Sequence, residues 1–286
     1  MKLLSHVLNA IKPVLDMLDH IIWARRTRTL LIDYRTRENQ PLLEMLNRLL
    51  TQYGFEPAPA EEDSRPDFAI WHKRLAPTLR ARMSITLHPV VAPDTWSLSP
   101  MVSIDASYVA HVESALAAGR DLDALTVQGF DPAHPPIMRF EPAHLRWQDR
   151  LELQSPALKG RPETIEQLRT DLVDVCEHYV LPVLEECRDP LAAARFLERA
   201  ETELRSRRLR HDEPRYKVFN PASAPALLFD EAGETARAFA FLEARRETLS
   251  QLWATEDPDW TGPRLARIDK LLDYLRSRLP AEQVRA

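Results

Sequence analysis

Three runs of alternating apolar and polar residues lie close together between Asp67 and Ala110. Asp67-Phe-Ala-Ile-Trp-His-Lys-Arg puts Phe68, Ile70 and His72 on one face. Ala81-Arg-Met-Ser-Ile-Thr-Leu-His-Pro puts Met83, Ile85 and Leu87 on one face and Arg82, Ser84 and Thr86 on the other. In Trp96-Ser-Leu-Ser-Pro-Met-Val-Ser-Ile-Asp-Ala, Val102 and Ile104 alternate with Ser103 and Asp105. A period of two marks strands, and polar residues at every second position mark an antiparallel sheet with one face in water. The pattern predicts an antiparallel meander, extended by a fourth strand at Pro-Ile-Met-Arg-Phe140.

Elsewhere the apolar residues recur at steps of three and four, the helical period. Leu4, Leu8, Ile11, Leu15, Leu18 and Ile22 predict an amphipathic helix over 3–22 that docks on its own core, on a partner helix or on a membrane surface. Its polar face mixes Asp16 and Asp19 with Lys2 and Lys12 instead of carrying a basic stripe, which argues against the membrane. A helix over 42–53 stops at Gly54, and a short one over 108–118 stops at Gly119. Leu168, Leu172, Val175 and Cys176 form the inner stripe of a helix that begins near Pro162 and kinks at Pro182. Asp189-Pro190 reads as an N-cap followed by proline at the first helical position. Helices are also expected over 231–253 and 265–279, with a turn at 258–262. The stretch 214–230 reads as short strands or an extended crossing. The fold class is therefore α+β: a small antiparallel sheet of three or four strands covered by a majority of α-helices. Its expected divisions are residues 1–40 (amphipathic helix and basic segment), 41–212 (the α+β core) and 213–286 (a helical C-terminal extension packed on the core).

Composition narrows the chemistry. A net charge of −5 argues against a nonspecific nucleic-acid binder. Six glycines in 286 residues leave little material for phosphate-cradling loops. Arginine and alanine are abundant, as in proteins of GC-rich bacterial genomes. Cys176 and Cys187 fall on one predicted helix about 16 Å apart along its axis. A disulfide needs Cα atoms within about 7 Å. They read as small buried hydrophobes in a reducing, cytoplasmic setting. The first residues lack the unbroken apolar run and cleavage site of a signal peptide, and no run of 18 apolar residues spans a membrane.

The chain has no G-x-S-x-G elbow, no Walker A loop, no dinucleotide fingerprint and no His-Glu-x-x-His. Pro66-Asp67 before strands evokes a restriction-type nuclease, but the following strand lacks the acid-x-Lys that such a site needs. One local repeat stands out: Phe130-Asp-Pro-Ala-His134 returns as Phe140-Glu-Pro-Ala-His144. Asp131, His134, Glu141 and His144 could ligate a divalent metal in a hydrolase. Acid followed by proline is equally a helix start, with the carboxylate capping and proline at the first helical position. Trp23, Arg25, Arg26 and Arg28, with Trp147, could serve as hot spots for a partner. The same arginines and the Arg205–Arg210 cluster could contact nucleic acid, although a basic helix end is expected on electrostatic grounds alone.

The order of helix, Gly54-Phe55, Phe68 strand, Met83-Ser-Ile-Thr strand, Arg139-Phe140, Leu145-Arg-Trp147 and a helix ending Val180-Leu-Pro-Val-Leu184 resembles small bacterial domains of unknown function. The resemblance covers about residues 42–200. Some such domains occur beside toxins in interbacterial-competition loci, which implies an immunity or binding role. The sequence thus points to a non-enzymatic cytoplasmic protein-binding module without a cofactor, its sharpest form an immunity protein neutralising a bacterial effector. The alternatives are a metal-dependent hydrolase and a nucleic-acid-associated subunit of a larger assembly.

Overall fold

The computed structural model describes residues 36–37, 39–59, 62, 66–88, 96–120, 129–131, 134–143, 145–146, 158–160, 164–206, 216–254 and 258–280. The expected N-terminal helix, Trp23, Arg25, Arg26, Arg28, His144, Trp147 and residues 207–211 lie outside them.

Helix α1 (Gln40–Gln52) leads into strand β1 (Glu56–Pro57). The meander follows: β2 (Phe68–Arg74), β3 (Leu79–His88) and β4 (Trp96–Ala106). Then come α2 (Ser107–Ala117), β5 (Met138–Phe140), β6 (Leu158–Gly160) and α3 (Ile165–Val175). A π-helical turn (Cys176–Val180) joins α3 to α4 (Leu181–Glu186), followed by α5 (Pro190–Ser206) and β7 (Lys217–Val218). The chain closes with α6 (Ser223–Glu231), α7 (Thr235–Leu252) and α8 (Pro258–Arg278).

The mixed α+β class is as expected, but the sheet is larger than three or four strands. Six strands form one path in the order β1-β2-β3-β4-β5-β7, and β6 attaches to the outer end of β4. Every pairing is antiparallel. The additional strands have only two or three residues each, too short to show a period. Strand β4 explains how a central strand tolerates Pro100, which has no amide to donate. β6 pairs with Trp96, Ser97 and Leu98, and β5 pairs with Val102, Ser103 and Ile104. Pro100 falls in the gap between them.

Register sorts the two faces. Trp71 pairs with Met83, Met83 with Val102, and Val102 with Phe140. Those four, with Leu79, Ile85, Leu87, Leu98 and Ile104, are buried on the dry face. The Trp71 indole also donates to Asn47 Oδ1 on α1 at 2.8 Å, so its polar atom is satisfied inside the core. One continuous apolar core joins this face to α1 through Leu46 and Leu50, to α3 through Leu168 and Leu172, and to the C-terminal helices through Leu227, Phe229, Leu242 and Leu271.

Helix ends follow the local chemistry. Asp189 Oδ1 accepts the Ala192 amide at 2.8 Å, the expected N-cap of α5. Gly54, with φ +78°, ends α1 in the left-handed region that a side chain would resist. The Pro182 ring would collide with the His178 carbonyl four residues earlier; the π turn at Cys176–Val180 widens the helix there. Both cysteines are free and buried. Burial raises both thiols, that of Cys176 to about 12.

Two local expectations are corrected. Residues 223–231 form a helix, not strands or a crossing, because Ala224 through Asp230 are all buried and an all-round apolar helix shows no stripe. α8 begins at Pro258 instead of after a turn, and it runs through Gly262 and Pro263. Among the described residues, no helix is long and apolar enough to cross a membrane.

Candidate functional site: the polar face of the sheet

The face opposite the core carries an unbroken polar row. His72 pairs with Arg82, Arg82 with Ser103, Ser103 with Arg139, and Arg139 with Lys217. Directly paired residues point to the same face, so the row crosses five strands, about 19 Å at the usual strand spacing. A second row, Arg74-Arg80-Asp105, lies beside it.

One end of the face is neutralised. Asp105 Oδ2 accepts from Arg80 Nε at 3.3 Å and Nη2 at 3.1 Å, and Oδ1 lies 3.5 Å from Arg82 Nη2. Arg82 Nε donates to Ser103 Oγ at 3.2 Å. Glu62 places Oε1 3.5 Å from Arg80 Nη1 and Oε2 3.1 Å from His72 Nε2. The Phe130 ring caps Arg80, its centroid 4.6 Å from the guanidinium carbon. A guanidinium can only donate, so Arg80 Nη1, 3.5 Å from His72 Nδ1, requires that nitrogen to be an acceptor. His72 Nε2 and Glu62 Oε2, although 3.1 Å apart, are both buried without completing a hydrogen bond. Burial, and secondarily Arg80, hold the His72 pKa below the ordinary 6.5 despite Glu62, so the Glu62 contact is not an ion pair at neutral pH.

At the other end, no ion pair among the described residues involves Arg139 or Lys217. Arg139 and Lys217 share the Phe219 ring at 5.6 and 5.2 Å. Arg139 Nε is buried without a hydrogen-bond acceptor.

The segment that brings Phe130 to Arg80 continues to a second polar node, built around Glu113 of α2. This carboxylate is 2 % exposed. It accepts from the Ser223 hydroxyl and from Asn220 Nδ2 at 2.7 Å, and it lies 3.3 Å from both His134 Nε2 and Arg267 Nη2. Among the described residues, Asn220 is the one non-glycine residue at positive φ (49°), a conformation asparagine tolerates. His134 Nδ1 faces the Pro135 carbonyl at 2.8 Å. Both ring nitrogens therefore face acceptors, and only the imidazolium donates to both. The Glu113 hydrogen bond raises the His134 pKa above 6.5, against the opposing effect of burial.

The two histidines act with opposite sign. The raised His134 contributes stability that is fully present below 6.5 and is lost as pH rises through its folded value. The lowered His72 contributes stability present above 6.5 and lost as pH falls through its folded value. NMR titration of the imidazole resonances is expected to place His134 above 6.5 and His72 below it. Coincident titrations would rule out this assignment.

The structure places the proposed metal ligands as follows. His134 is engaged by Glu113 and Pro135, and Asp131 accepts the His134 amide through its main-chain carbonyl at 3.2 Å. The Glu141 carbonyl accepts the Leu145 amide at 3.0 Å, a helical turn. His144 lies outside the described residues, among which no three His, Cys, Asp or Glu side chains group around a common point. Sequence reasoning passed over Glu62, Arg80, Glu113, Arg139 and Lys217. Glu113 carried a signal: it sits four residues after Val109 and three before Leu116, inside an apolar helical stripe. Comparison with protein-family models, with curated proteins and with solved structures finds no match.

Proposed function

We propose that this chain is a non-enzymatic cytoplasmic binding module that recognises an acidic surface of another protein through the polar face of its sheet. The observation that carries this is charge segregation. The chain as a whole is acidic at −5, yet among the described residues this face brings Arg74, Arg80, Arg82, Arg139 and Lys217 together against Glu62 and Asp105. A patch of one sign on a chain of the other steers and orients a complementary partner. Phe219 and Phe130 add aromatic contacts of the kind that anchor interfaces. Immunity against a bacterial effector is the sharpest form of the reading, and it draws on the resemblance over residues 42–200. The metal-hydrolase alternative stands second, because His134 already spends both ring nitrogens on protein acceptors.

The test compares tagged wild type with the Lys217→Glu and Arg139→Glu/Lys217→Glu variants, purified from the native host at moderate salt. Wild type is expected to retain a stoichiometric protein, with affinity falling as salt rises. The double variant is expected to lose that protein, by at least tenfold in Kd. A partner retained equally by all three would overturn the assignment of the face. A copurifying nucleic acid in place of a protein would overturn the choice of partner.

A further inference from the structure

We infer that the groove between α1 and α3 is the docking site of the chain's own N-terminal apolar stripe, residues 3–22. The inference is independent of the polar face, since α1 packs on the dry side of the sheet.

The groove follows from the pattern of α1. Leu42, Leu46, Leu49 and Leu50 turn one side of that helix into the core. Pro41, Met45 and Leu49 recur at four-residue steps along its flank, so they line up on one side. Ile165, at the start of α3, completes an apolar floor, and Glu44, Arg48, Glu166 and Arg169 stand at the rim. The cavity measures about 500 Å³ and runs from Pro41 to Gln52, about 16 Å of helix. Tyr53, just past α1, donates to Glu177 Oε1 in the turn after α3 at 3.0 Å. The two walls are therefore held to each other, and the groove is a fixed feature.

Three observations select the occupant. The first is the apolar pattern. Leu4, Leu8, Ile11, Leu15, Leu18 and Ile22 recur at helical steps, and a helix of that length is marginal in water unless its stripe is covered. The second is charge. The rim pairs its own acids and bases, Glu44 with Arg48 at 3.8 Å and Glu166 with Arg169 at 2.7 Å. A strongly basic or strongly acidic helix gains nothing from such a rim. Residues 3–22 instead flank their stripe with Asp16, Asp19 and Lys12, a mixed set that complements a mixed rim. The third is tethering. The described residues begin at Thr36, whose carbonyl accepts the Asn39 amide at 3.0 Å in a turn just before Pro41. The chain thus enters at one end of the groove. Residues 23–40 are a short enough tether to hold the stripe at an effective concentration of about millimolar, which a helix from a partner would have to exceed.

The test is hydrogen exchange with mass spectrometry on the full chain at pH 7, reading residues 3–22. In wild type they are expected to exchange at least tenfold slower than in a synthetic peptide of residues 1–25. Met45→Glu and Ile165→Glu are each expected to return them to the peptide's rate, while α5 to α8 keep their protection. Leu252→Glu, which changes an exposed leucine on α7, is expected to leave them as in wild type. Reciprocally, Leu15→Glu is expected to speed the oxidation of Met45 by hydrogen peroxide at least threefold, and this variant decides the matter if a groove substitution loosens the core. Wild-type rates equal to the peptide's, protection that survives both groove variants, or an unaltered Met45 oxidation rate in Leu15→Glu would each overturn the site. So would protection that fades on dilution, which assigns the stripe to a second copy, and release by Leu252→Glu, which places it on α7.

Discussion

Replacing Glu113 by alanine is expected to destabilise the chain by about 3–5 kcal/mol, the range for breaking a buried charged network by removing one member. A domain of ordinary stability has about 5–15 kcal/mol in total, so the variant sits close to unfolding at physiological temperature. The size of the effect follows from what converges on the carboxylate. Ser223 and Asn220 donate from the β7–α6 junction, His134 from the segment entering β5, and Arg267 from α8. Alanine strands all four donors, and an unmet buried donor costs about 1–3 kcal/mol. Arg267 is half exposed and recovers solvent, so the loss falls mainly on Ser223, Asn220 and His134. Glu113→Gln keeps the volume and an acceptor oxygen and is expected to cost less, about 1–3 kcal/mol. Urea denaturation of the three proteins gives the ordering directly. The same samples carry an internal check: in Glu113→Gln, His134 loses the main cause of its raised pKa and its NMR titration is expected to move down. A Glu113→Ala midpoint indistinguishable from wild type would mean that the node holds nothing together.

How far the fold was legible in the chain depended on whether a segment has one wet side. β3 and β4 show it without ambiguity, since Arg82 and Ser103 face away from Met83 and Val102. The wet face was therefore readable from alternation in β3 and β4, as was the N-cap at Asp189 from its own sequence. It was not readable in β2, where the apolar Phe68 and Ile70 share the polar side with His72 and the core side carries Ala69 and Trp71. α6 was not readable, because burial on every side erases the period. Nor were β1 and β6, which exist only because a longer neighbour offers an edge to pair with, whereas β7 falls where short strands were an expected reading. The site divides the same way. Arg80, Arg82 and Asp105 belong to visible strands, but their assembly with Glu62 and Phe130 depends on loops that return to the sheet from distant positions. The repeat around residues 130–144 drew attention to His134, and geometry supplies its partner, Glu113, from a helix the repeat does not include.

Asp230→Ala is the second substitution with a large expected effect, again about 3–5 kcal/mol, and it tests a different joint. Asp230 lies at the C-terminal end of α6 with its side chain fully buried. A carboxylate is disfavoured there, because the helix end is itself negative. It is held by three donors: Tyr108 of α2 at 2.6 Å, Thr235 of α7 at 2.7 Å and Arg278 of α8 at 3.1 Å. Tyr108 in turn meets the Tyr274 hydroxyl at 2.9 Å. Burial, reinforced by the Asp230 hydrogen bond, keeps the Tyr108 phenol protonated well above its usual range. One residue thus ties four helices, and because α6 is buried on all sides its loosening cannot remain local. Denaturation of Asp230→Ala is expected to stay a single transition with a lowered midpoint. Thr235→Ala is expected to cost about 1 kcal/mol, and Arg278→Ala less, because its side chain is partly exposed and screened by solvent. The discriminating variant is Asp230→Leu with Tyr108→Phe. If the cost of the alanine variant comes from stranded donors, removing the buried acceptor and its closest donor together should recover much of the loss, since an apolar replacement of a buried polar network can be nearly neutral. Thr235 would still seek a partner, so recovery is expected to be partial. A double variant as unstable as the sum of its parts would show that the joint depends on the carboxylate's charge, through Arg278, and not on satisfying the phenol.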